Sequence, residues 1–380
     1  MQASSVTGRL ALVAAIVAFV VIVFGAFVRL SDAGLSCPDW PTCYGKATWP
    51  GHEQEIAHAN AAFPQRPVET HKAWREQVHR MLAGSLGTLV LAIALSAVWR
   101  RRGALAALAA AAAAAAIGVV LYMKTAYVAS TLFSLVALAL PFLVAARLDR
   151  PAPYRVAVAS FAVIVFQAML GMWTVTWLLK PIVVMGHLLG GLLTFSLLAY
   201  VALGLLMRSQ ATPAQRPLHA MAIVSLVLLS LQIALGGWTS ANYAALACGA
   251  DFPQCAGAWW PQTDFGEAFV LWRGIGVNYE GGVLDAAARA AIQIAHRIGA
   301  LVVFGYVLAT ALAAWRRGLP LLAATIGLLL CLQVGLGIAN VMLLLPLPVA
   351  TAHNAGAVLL LLALIVLLVR TRREAVARVA

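Results

Sequence analysis

The sequence predicts an all-α polytopic membrane protein, and three observations support this fold class. Of the 380 residues, 63% are hydrophobic and only 10% are charged. Ten apolar segments reach the length of roughly 20 residues that a helix needs to cross the hydrocarbon core. Arginine and lysine concentrate at the segment ends and loops of one side, as the positive-inside rule expects.

The ten predicted spans are separated by short connections except at two places. Residues 31–72 and 241–285 form long irregular segments outside the membrane, and the default role of their tryptophans, Trp40, Trp49, Trp259 and Trp260, is interfacial anchoring. Loops that cover a site are the alternative. The first span is expected to be retained, because it is longer than a signal-peptide core. The predicted limits are 9–30, 73–99, 104–123, 127–147, 155–179, 182–207, 218–240, 286–315, 319–343 and 348–370.

The charge distribution places both termini on the cytoplasmic side. In that orientation the inner side holds fifteen cations and two acids, which accounts for the whole net charge of +13. These charges are dispersed over short loops, so they indicate membrane orientation and not nucleic-acid binding. The inner residues are Arg9, Arg100, Arg101, Arg102, Arg147, Arg150, Arg155, Arg208, Arg216, Arg316, Arg317, Arg370, Arg372, Arg373 and Arg378, with Asp149 and Glu374.

A pattern of four spans occurs twice along the chain. It predicts two pseudo-symmetric four-helix bundles in tandem, formed by residues 1–100 with 155–210 and by residues 211–380. Residues 101–154 have no counterpart and are interpreted as an inserted transmembrane hairpin. Both bundles should share one orientation, related by an axis along the membrane normal. The matched positions are His79-Arg80 with His296-Arg297, Gln167 and His187 with Gln333 and His353, and Cys37 and Cys43 with Cys248 and Cys255.

Histidines at four matched positions indicate two metal centres. Any one of them alone would be interpreted equally well as a satisfied polar residue. A structural zinc site takes four ligands close together, whereas these histidines come two per unit. Two axial histidines from facing helices of a four-helix bundle suit haem iron better. The sequence therefore predicts two haem sites, with ligands His79 and His187 in one and His296 and His353 in the other.

Small and basic residues accompany these histidines. Arg80 and Arg297 are candidates for contacts with haem propionates, with snorkelling to lipid headgroups as the alternative. Five glycines would let a flat ring or a neighbouring helix approach closely. They are Gly84, Gly190, Gly191, Gly299 and Gly356.

The outer segments carry two cysteine pairs on the oxidising side. Their spacing predicts the short bridges Cys37–Cys43 and Cys248–Cys255. Redox-active use of these cysteines is the alternative. Cys331, inside a span, is expected to be a packing residue.

The two halves differ at one position beside a predicted ligand. Glu76 stands three residues before His79, whereas Gln293 stands before His296. The spacing puts Glu76 on the same helix face as His79, where a carboxylate beside a haem edge could move protons. An ordinary interfacial acid is the alternative.

Together these residues resemble the haem A synthase family. The stretch Arg29-Leu-Ser-Asp-Ala-Gly-Leu-Ser36 is similar to the family motif Arg-Leu-Thr-x-Ser-Gly-Leu-Ser, and Glu76-x-x-His79-Arg80 and the other three histidines match as well. The resemblance covers nearly the whole chain except 101–150, where two extra spans depart from the eight typical of the family. The cysteine pairs resemble those of members with disulfides in their outer loops.

The resemblance implies an enzyme that oxidises a ring methyl of haem O to the formyl group of haem A by successive hydroxylations. It further implies a haem b cofactor on His296 and His353, haem O near His79 and His187, and catalysis by Glu76. Arg29 joins the possible propionate contacts. Haem O synthase would supply the substrate and a haem–copper terminal oxidase would receive the product, in a bacterial-type plasma (inner) membrane with the sites toward the outer side.

Two other classes stay open. A two-haem b-type electron-transfer cytochrome that oxidises quinols would need the same four ligands but no acid on one side only. A transporter built from repeats is less favoured, because the sequence shows no paired broken helices with a polar midplane site.

Overall fold

The computed structural model describes residues 2–207 and 211–372. The inner charges predicted at Arg208, Arg373, Glu374 and Arg378 lie outside the described residues. Within them the chain forms twelve α-helices, with a 3-10 turn at Pro213–Gln215. The helices are α1 (Gln2–Leu30), α2 (Glu53–Ala62), α3 (Thr70–Ala97), α4 (Arg102–Met123), α5 (Tyr127–Arg147), α6 (Ala152–Thr176), α7 (Pro181–Leu206), α8 (Arg216–Ala241), α9 (Phe265–Ala268), α10 (Ala286–Arg316), α11 (Pro320–Met342) and α12 (Leu347–Thr371).

Ten helices in this described part are long and apolar enough to cross a membrane, all except α2 and α9. The all-α polytopic class and the ten spans predicted from the sequence are therefore confirmed. The predicted limits are off by a few residues, and the turn after α6 explains one of the differences, because the span predicted to end at 179 runs through it. Leu178 and Leu179 after α6, and Leu344 and Leu345 after α11, have positive φ angles of 50° to 61°. Backbone of this kind cannot continue a right-handed helix.

One compact unit comprises Met1–Leu179 and Gly186–Leu206. In it α1 packs on α3 and α3 packs on α6. Helix α7 lies against α6, where Gly190 faces Gln167, and against α1, where a Cβ added to Gly8 would meet Leu206 at 2.9 Å. These four helices form a closed ring. Helices α4 and α5 pack on each other and contact the ring at α3 and α6.

The second unit comprises Lys180–Met185 and Met207–Ala380. Its helices α8, α10, α11 and α12 also form a ring, in which each packs on the next and α12 returns to α8. At one end the buried Trp238 packs with Ala288 and Ile292. The Trp238 indole donates a hydrogen bond to the carbonyl of Ala268 in α9 (2.9 Å). The short helix α9 is thus fixed to the end of α8.

A disulfide lies in each of the two long segments between membrane helices, 31–72 and 241–285. The sulfur atoms of Cys37 and Cys43 are 2.00 Å apart, as are those of Cys248 and Cys255. The second cysteine of each pair forms a short antiparallel backbone bridge with the residue three positions later. The two segments therefore contain the same kind of turn at matched places.

The four tryptophans of these segments differ in their surroundings. Trp49 packs against the apolar cluster around the first disulfide, and Trp40 contacts Tyr122 with a centroid distance of 6.1 Å. Trp259 and Trp260 are exposed. Cys331, expected to be a packing residue, is also exposed, so that expectation is wrong.

Candidate metal centres

His79 on α3 and His187 on α7 come together inside the first ring. Their ring centroids are 6.4 Å apart and their planes are inclined by 81°. A metal–imidazole bond of about 2 Å and a ring radius of about 1.1 Å would place the centroids of two opposed ligands about 6.2 Å apart. The separation is therefore compatible with one metal ion bound between the two rings, as in a bis-histidine haem.

The second unit carries His296 on α10 and His353 on α12. Each of these histidines is half-buried and contacts a glutamine of the same unit. Among the described residues, no group of three or more His, Cys, Asp or Glu side chains is arranged to hold a metal ion. The candidate metal ligands in the described part of the chain are therefore the two histidines of each unit.

Each of the four histidines packs against a glycine of the preceding membrane helix. A Cβ at these glycines would lie closer to the imidazole than ordinary van der Waals contact allows, so a larger residue would displace the ring. The glycines, with the distance from an added Cβ to the Cε1 of the facing histidine, are Gly25 (2.7 Å, His79), Gly171 (3.0 Å, His187), Gly236 (3.2 Å, His296) and Gly337 (3.1 Å, His353).

A glutamine on that same preceding helix contacts two of the rings in the same way. Gln167 Nε2 is 3.1 Å from His187 Nδ1 and donates to the His187 carbonyl (2.7 Å). Gln232 Nε2 is likewise 3.1 Å from His296 Nδ1 and donates to the His296 carbonyl (2.9 Å). The glutamine amide donates in both contacts, so it orients the imidazole ring relative to the neighbouring helix.

At the third such ring the glutamine meets the other nitrogen. Gln333 Nε2 is 3.3 Å from Nε2 of His353. In all three cases the glutamine fits because the residue three positions after the histidine is glycine. A Cβ at Gly190, Gly299 or Gly356 would overlap the amide oxygen of the facing glutamine.

The glycines singled out in the sequence thus have a more specific role than expected. Gly190, Gly299 and Gly356 admit a glutamine side chain of the neighbouring helix, and Gly191 lies beside Gln167 as well. A Cβ added to Gly84 would have nothing within 4 Å. Close helix approach explains the first four, and Gly84 takes no part in it.

Glu76 is buried, with 4% of its surface exposed, one helical turn from His79. One carboxylate oxygen pairs with Arg80 Nη2 at 2.5 Å. The other accepts a hydrogen bond from the Cys37 amide (2.8 Å) and lies 3.1 Å from the Ser36 hydroxyl. Glu76 therefore connects α3 to the start of the first disulfide loop.

Arg80 and Arg297 each bind the disulfide loop of their own unit. Arg80 donates to three carbonyls of the first loop, and Arg297 donates to three carbonyls of the second. Arg29 lies 3.9 Å from Asp32. The propionate contacts of these three arginines remain a prediction. The loop acceptors are Asp39, Thr42 and Cys37 for Arg80, and Asp251, Pro253 and Gln254 for Arg297.

Sequence reasoning missed the glutamine contact at His296. The repeat matches Gln167 and His187 with Gln333 and His353, but Gln232 lies 64 residues before His296 and has no place in that pattern. The available signal was the spacing Gln-x-x-x-Gly, which occurs at 167/171, 232/236 and 333/337.

The fold and these residues define a class, namely multi-pass all-α membrane proteins with a histidine pair in each of two helical units. A family model described as cytochrome oxidase assembly protein, COX15-CtaA, matches residues 8–365. The chain is 41% identical over 330 residues to Heme A synthase of Shewanella oneidensis, covering 85% of this chain and 84% of that protein. It is 27% identical over 351 residues to Heme A synthase of Rhizorhabdus wittichii, covering 87% and 84%. The chain belongs to this haem A synthase family.

Proposed function

We propose that this protein is a haem A synthase, which oxidises the ring methyl of haem O to the formyl group of haem A by successive hydroxylations. Relatives named Heme A synthase match most of the chain and most of their own length. One observation in the structure carries the proposal. The ring centroids of His79 and His187 are 6.4 Å apart, and the buried carboxylate of Glu76 lies one helical turn from His79.

The two histidine pairs have different tasks in this proposal. His296 and His353 hold a resident haem b, and His79 and His187 hold the substrate haem. What supports the division is the asymmetry between the units: Glu76 is an acid, and the matched Gln293 is neutral. Both side chains are 4% exposed or less, so the charge difference lies in an environment where charges interact strongly.

The chain's own residues position the substrate and handle protons. A haem b in the second unit would supply a one-electron redox centre. The imidazoles of His79 and His187 orient the haem O macrocycle between α3 and α7. The Glu76 carboxylate exchanges a proton at the oxygen atom that pairs with Arg80 or at the one that faces Cys37. The apolar helices of the ring exclude water from this chemistry.

The partners and location follow from the same activity. We propose that a haem O synthase supplies the substrate and that haem–copper oxidase assembly consumes the product, which agrees with the description of the family model as cytochrome oxidase assembly protein. The membrane is a bacterial-type plasma (inner) membrane, with both termini cytoplasmic and the histidines toward the outer side. The basic inner loops support this orientation.

The domain division predicted from the repeat is also part of the proposal. Residues 1–100 with 155–210 form the substrate-haem unit, residues 101–154 the inserted hairpin and residues 211–380 the haem b unit. The ring of α1, α3, α6 and α7, to which α4 and α5 only attach, supports this division.

Haems extracted from the purified protein after co-expression with a source of haem O test the function directly. Mass spectrometry should find haem A or its alcohol precursor together with haem b, and His187→Ala should abolish the formyl product. Haem b alone would favour the electron-transfer cytochrome. A preparation without haem would favour a transporter.

A further inference from the structure

The helix that carries His79 also carries an arginine, one turn nearer the start of that helix. Arg75 precedes His79 by four residues, a spacing that places both side chains on one face of α3. The guanidinium carbon of Arg75 lies 5.1 Å from the ring centroid of Phe27 on α1 and 5.8 Å from that of Trp74. Phe27 stands two residues after Gly25, on which His79 packs. Arg75 therefore lies at the contact between α1 and α3 that also holds His79.

The donors of Arg75 are used differently from those of Arg80. Arg80 pairs with Glu76 and donates to three loop carbonyls. Among the described residues Arg75 has no hydrogen bond or ion pair, and its buried Nε lacks an acceptor. Buried donors in native proteins are nearly always paired. Contact with an aromatic face leaves the N–H groups of a guanidinium available to an anion. Arg75 thus holds unused donors one turn from a predicted iron ligand.

The second unit has the same contact without the charge. Trp238 on α8 takes the place of Phe27, two residues after the glycine that faces the histidine. It packs with Ile292, which is fully buried and stands four residues before His296. An apolar side chain therefore fills this position in one unit, so the packing of the two helices does not require an arginine in the other.

The charges of the two ligand helices lead to the same conclusion. In the first unit the carboxylate of Glu76 compensates the charge of Arg80. In the second unit the matched Gln293 is neutral, and Arg297 donates to loop carbonyls and to no carboxylate among the described residues. Arg75 thus restores in the first unit the positive charge that Glu76 compensates.

We propose that Arg75, and not Arg80, binds a propionate carboxylate of the substrate haem in the first unit. The inference rests on the proposed function, in which His79 and His187 hold haem O. A guanidinium presents paired N–H donors that match the two oxygens of a carboxylate. A macrocycle held only by axial histidines can turn about the iron–nitrogen bonds. A charged contact at its edge fixes that rotation, so Arg75 determines which ring methyl faces Glu76.

Haem O and its dimethyl ester, in which the propionates carry no charge, are the two probes. The full-length protein is purified from cells that make no haem O, and binding of each probe is measured from the change in visible absorbance. Wild type should bind haem O about tenfold to a hundredfold more tightly than the ester, as expected for hydrogen bonds to a charged group. Arg75→Gln should remove most of this preference by weakening the binding of haem O alone.

Two other cations of α3 provide matched controls. Lys72 lies three residues before Arg75 and pairs with Glu69 at 2.8 Å, so Lys72→Gln should leave both affinities unchanged. Arg80→Gln should leave the preference for haem O over the ester. Equal weakening of both probes in Arg75→Gln would show that only the aromatic contact was lost, and it would overturn the proposal. Loss of the preference in Arg80→Gln or Lys72→Gln to the same extent as in Arg75→Gln would overturn it too.

Two further variants keep the test decisive. Arg75→Ile copies the residue of the second unit, so it covers the case in which Arg75→Gln does not fold, and a full preference for haem O in this variant would overturn the proposal. His187→Ala should bind both probes far more weakly than wild type. If it does so while the Arg75 variants behave as wild type, only the inference fails. Wild-type binding of haem O in His187→Ala would show that the histidine pair does not hold the substrate, and the proposed function would fail with the inference.

Discussion

The charge of Glu76 can be removed with little change in shape by Glu76→Gln. The variant makes the first unit resemble the second, where Gln293 precedes a histidine and Arg297 is held by three loop carbonyls. The chain therefore already contains a stable version of the altered site. If the carboxylate takes part in oxidising the substrate methyl, both haem sites should stay occupied while conversion stops or stalls.

The contacts of Glu76 set the size of the stability effect, and the general range for acid–base catalysis sets the size of the rate effect. An amide offers one oxygen where the carboxylate offers two, so either the Arg80 contact or the Cys37 contact is weakened. Hydrogen bonds to charged groups contribute about 1.5–3 kcal/mol, and Arg80 keeps its three carbonyl acceptors. We expect the free energy of unfolding to fall by about 1–3 kcal/mol. Loss of acid–base catalysis should lower the rate about 10²–10⁴-fold.

The assay is mass spectrometry of extracted haems, with haem content and thermal unfolding measured on the same preparation. Haem O or its alcohol should dominate in Glu76→Gln. Gln293→Glu, the mirror change, should leave haem A formation intact. Arg80→Lys loosens the loop contact and keeps the carboxylate, so it should cost less conversion than Glu76→Gln. Near-normal haem A from Glu76→Gln, or equal losses in Glu76→Gln and Arg80→Lys, would refute the catalytic role.

His353→Ala should remove the resident haem b, whereas His187→Ala should mainly lower haem O; equal loss of haem b in both would contradict the division between the units. Alkylation without reductant should label none of the four loop cysteines, and labelling of all four would exclude the bridges. Hydrogen bonds from the Lys46 side chain and the Gly51 amide lower the pKa of Glu55 from 4.5 to about 2. A lowered pKa stabilises the fold above pH 4.5, and this contribution is lost as the pH falls toward about 2. The difference in unfolding temperature between wild type and Glu55→Gln should therefore shrink as the pH falls from 4.5 toward about 2. A difference that stays constant would show that the pKa of Glu55 is not lowered in the folded protein.

The membrane helices could be predicted because span length and apolar composition are local properties of the sequence. The predicted ends of these helices were less accurate than their positions. The turns after α6 and α11 use leucines in the left-handed region, at Leu178, Leu179, Leu344 and Leu345. Glycine is the residue usually expected there, so the apolar pattern extended the span predicted at 155–179 through Leu178 and Leu179, beyond the end of α6 at Thr176.

The site was predictable where side chains repeat and not where backbone atoms are the partners. The histidine positions follow from the repeat. The loop carbonyls that accept from Arg80 and Arg297 have no signature in the sequence, so these arginines were assigned to propionates or headgroups only. Gln232 escaped notice because its partner His296 is 64 residues away. Contacts across helices that are distant in the chain require knowledge of which helices are neighbours.

The attachment of the α4–α5 hairpin has a consequence for how such chains can diverge. Arg101, just before the hairpin, donates to the carbonyl of Asp149, just after it, at 3.0 Å. Helices α3 and α6 on either side pack directly on each other. The ends of the hairpin are close together, and the hairpin does not come between α3 and α6. A gene could therefore gain or lose this segment without moving the helices on either side of it. Because it crosses the bilayer an even number of times, every later helix keeps its direction of insertion.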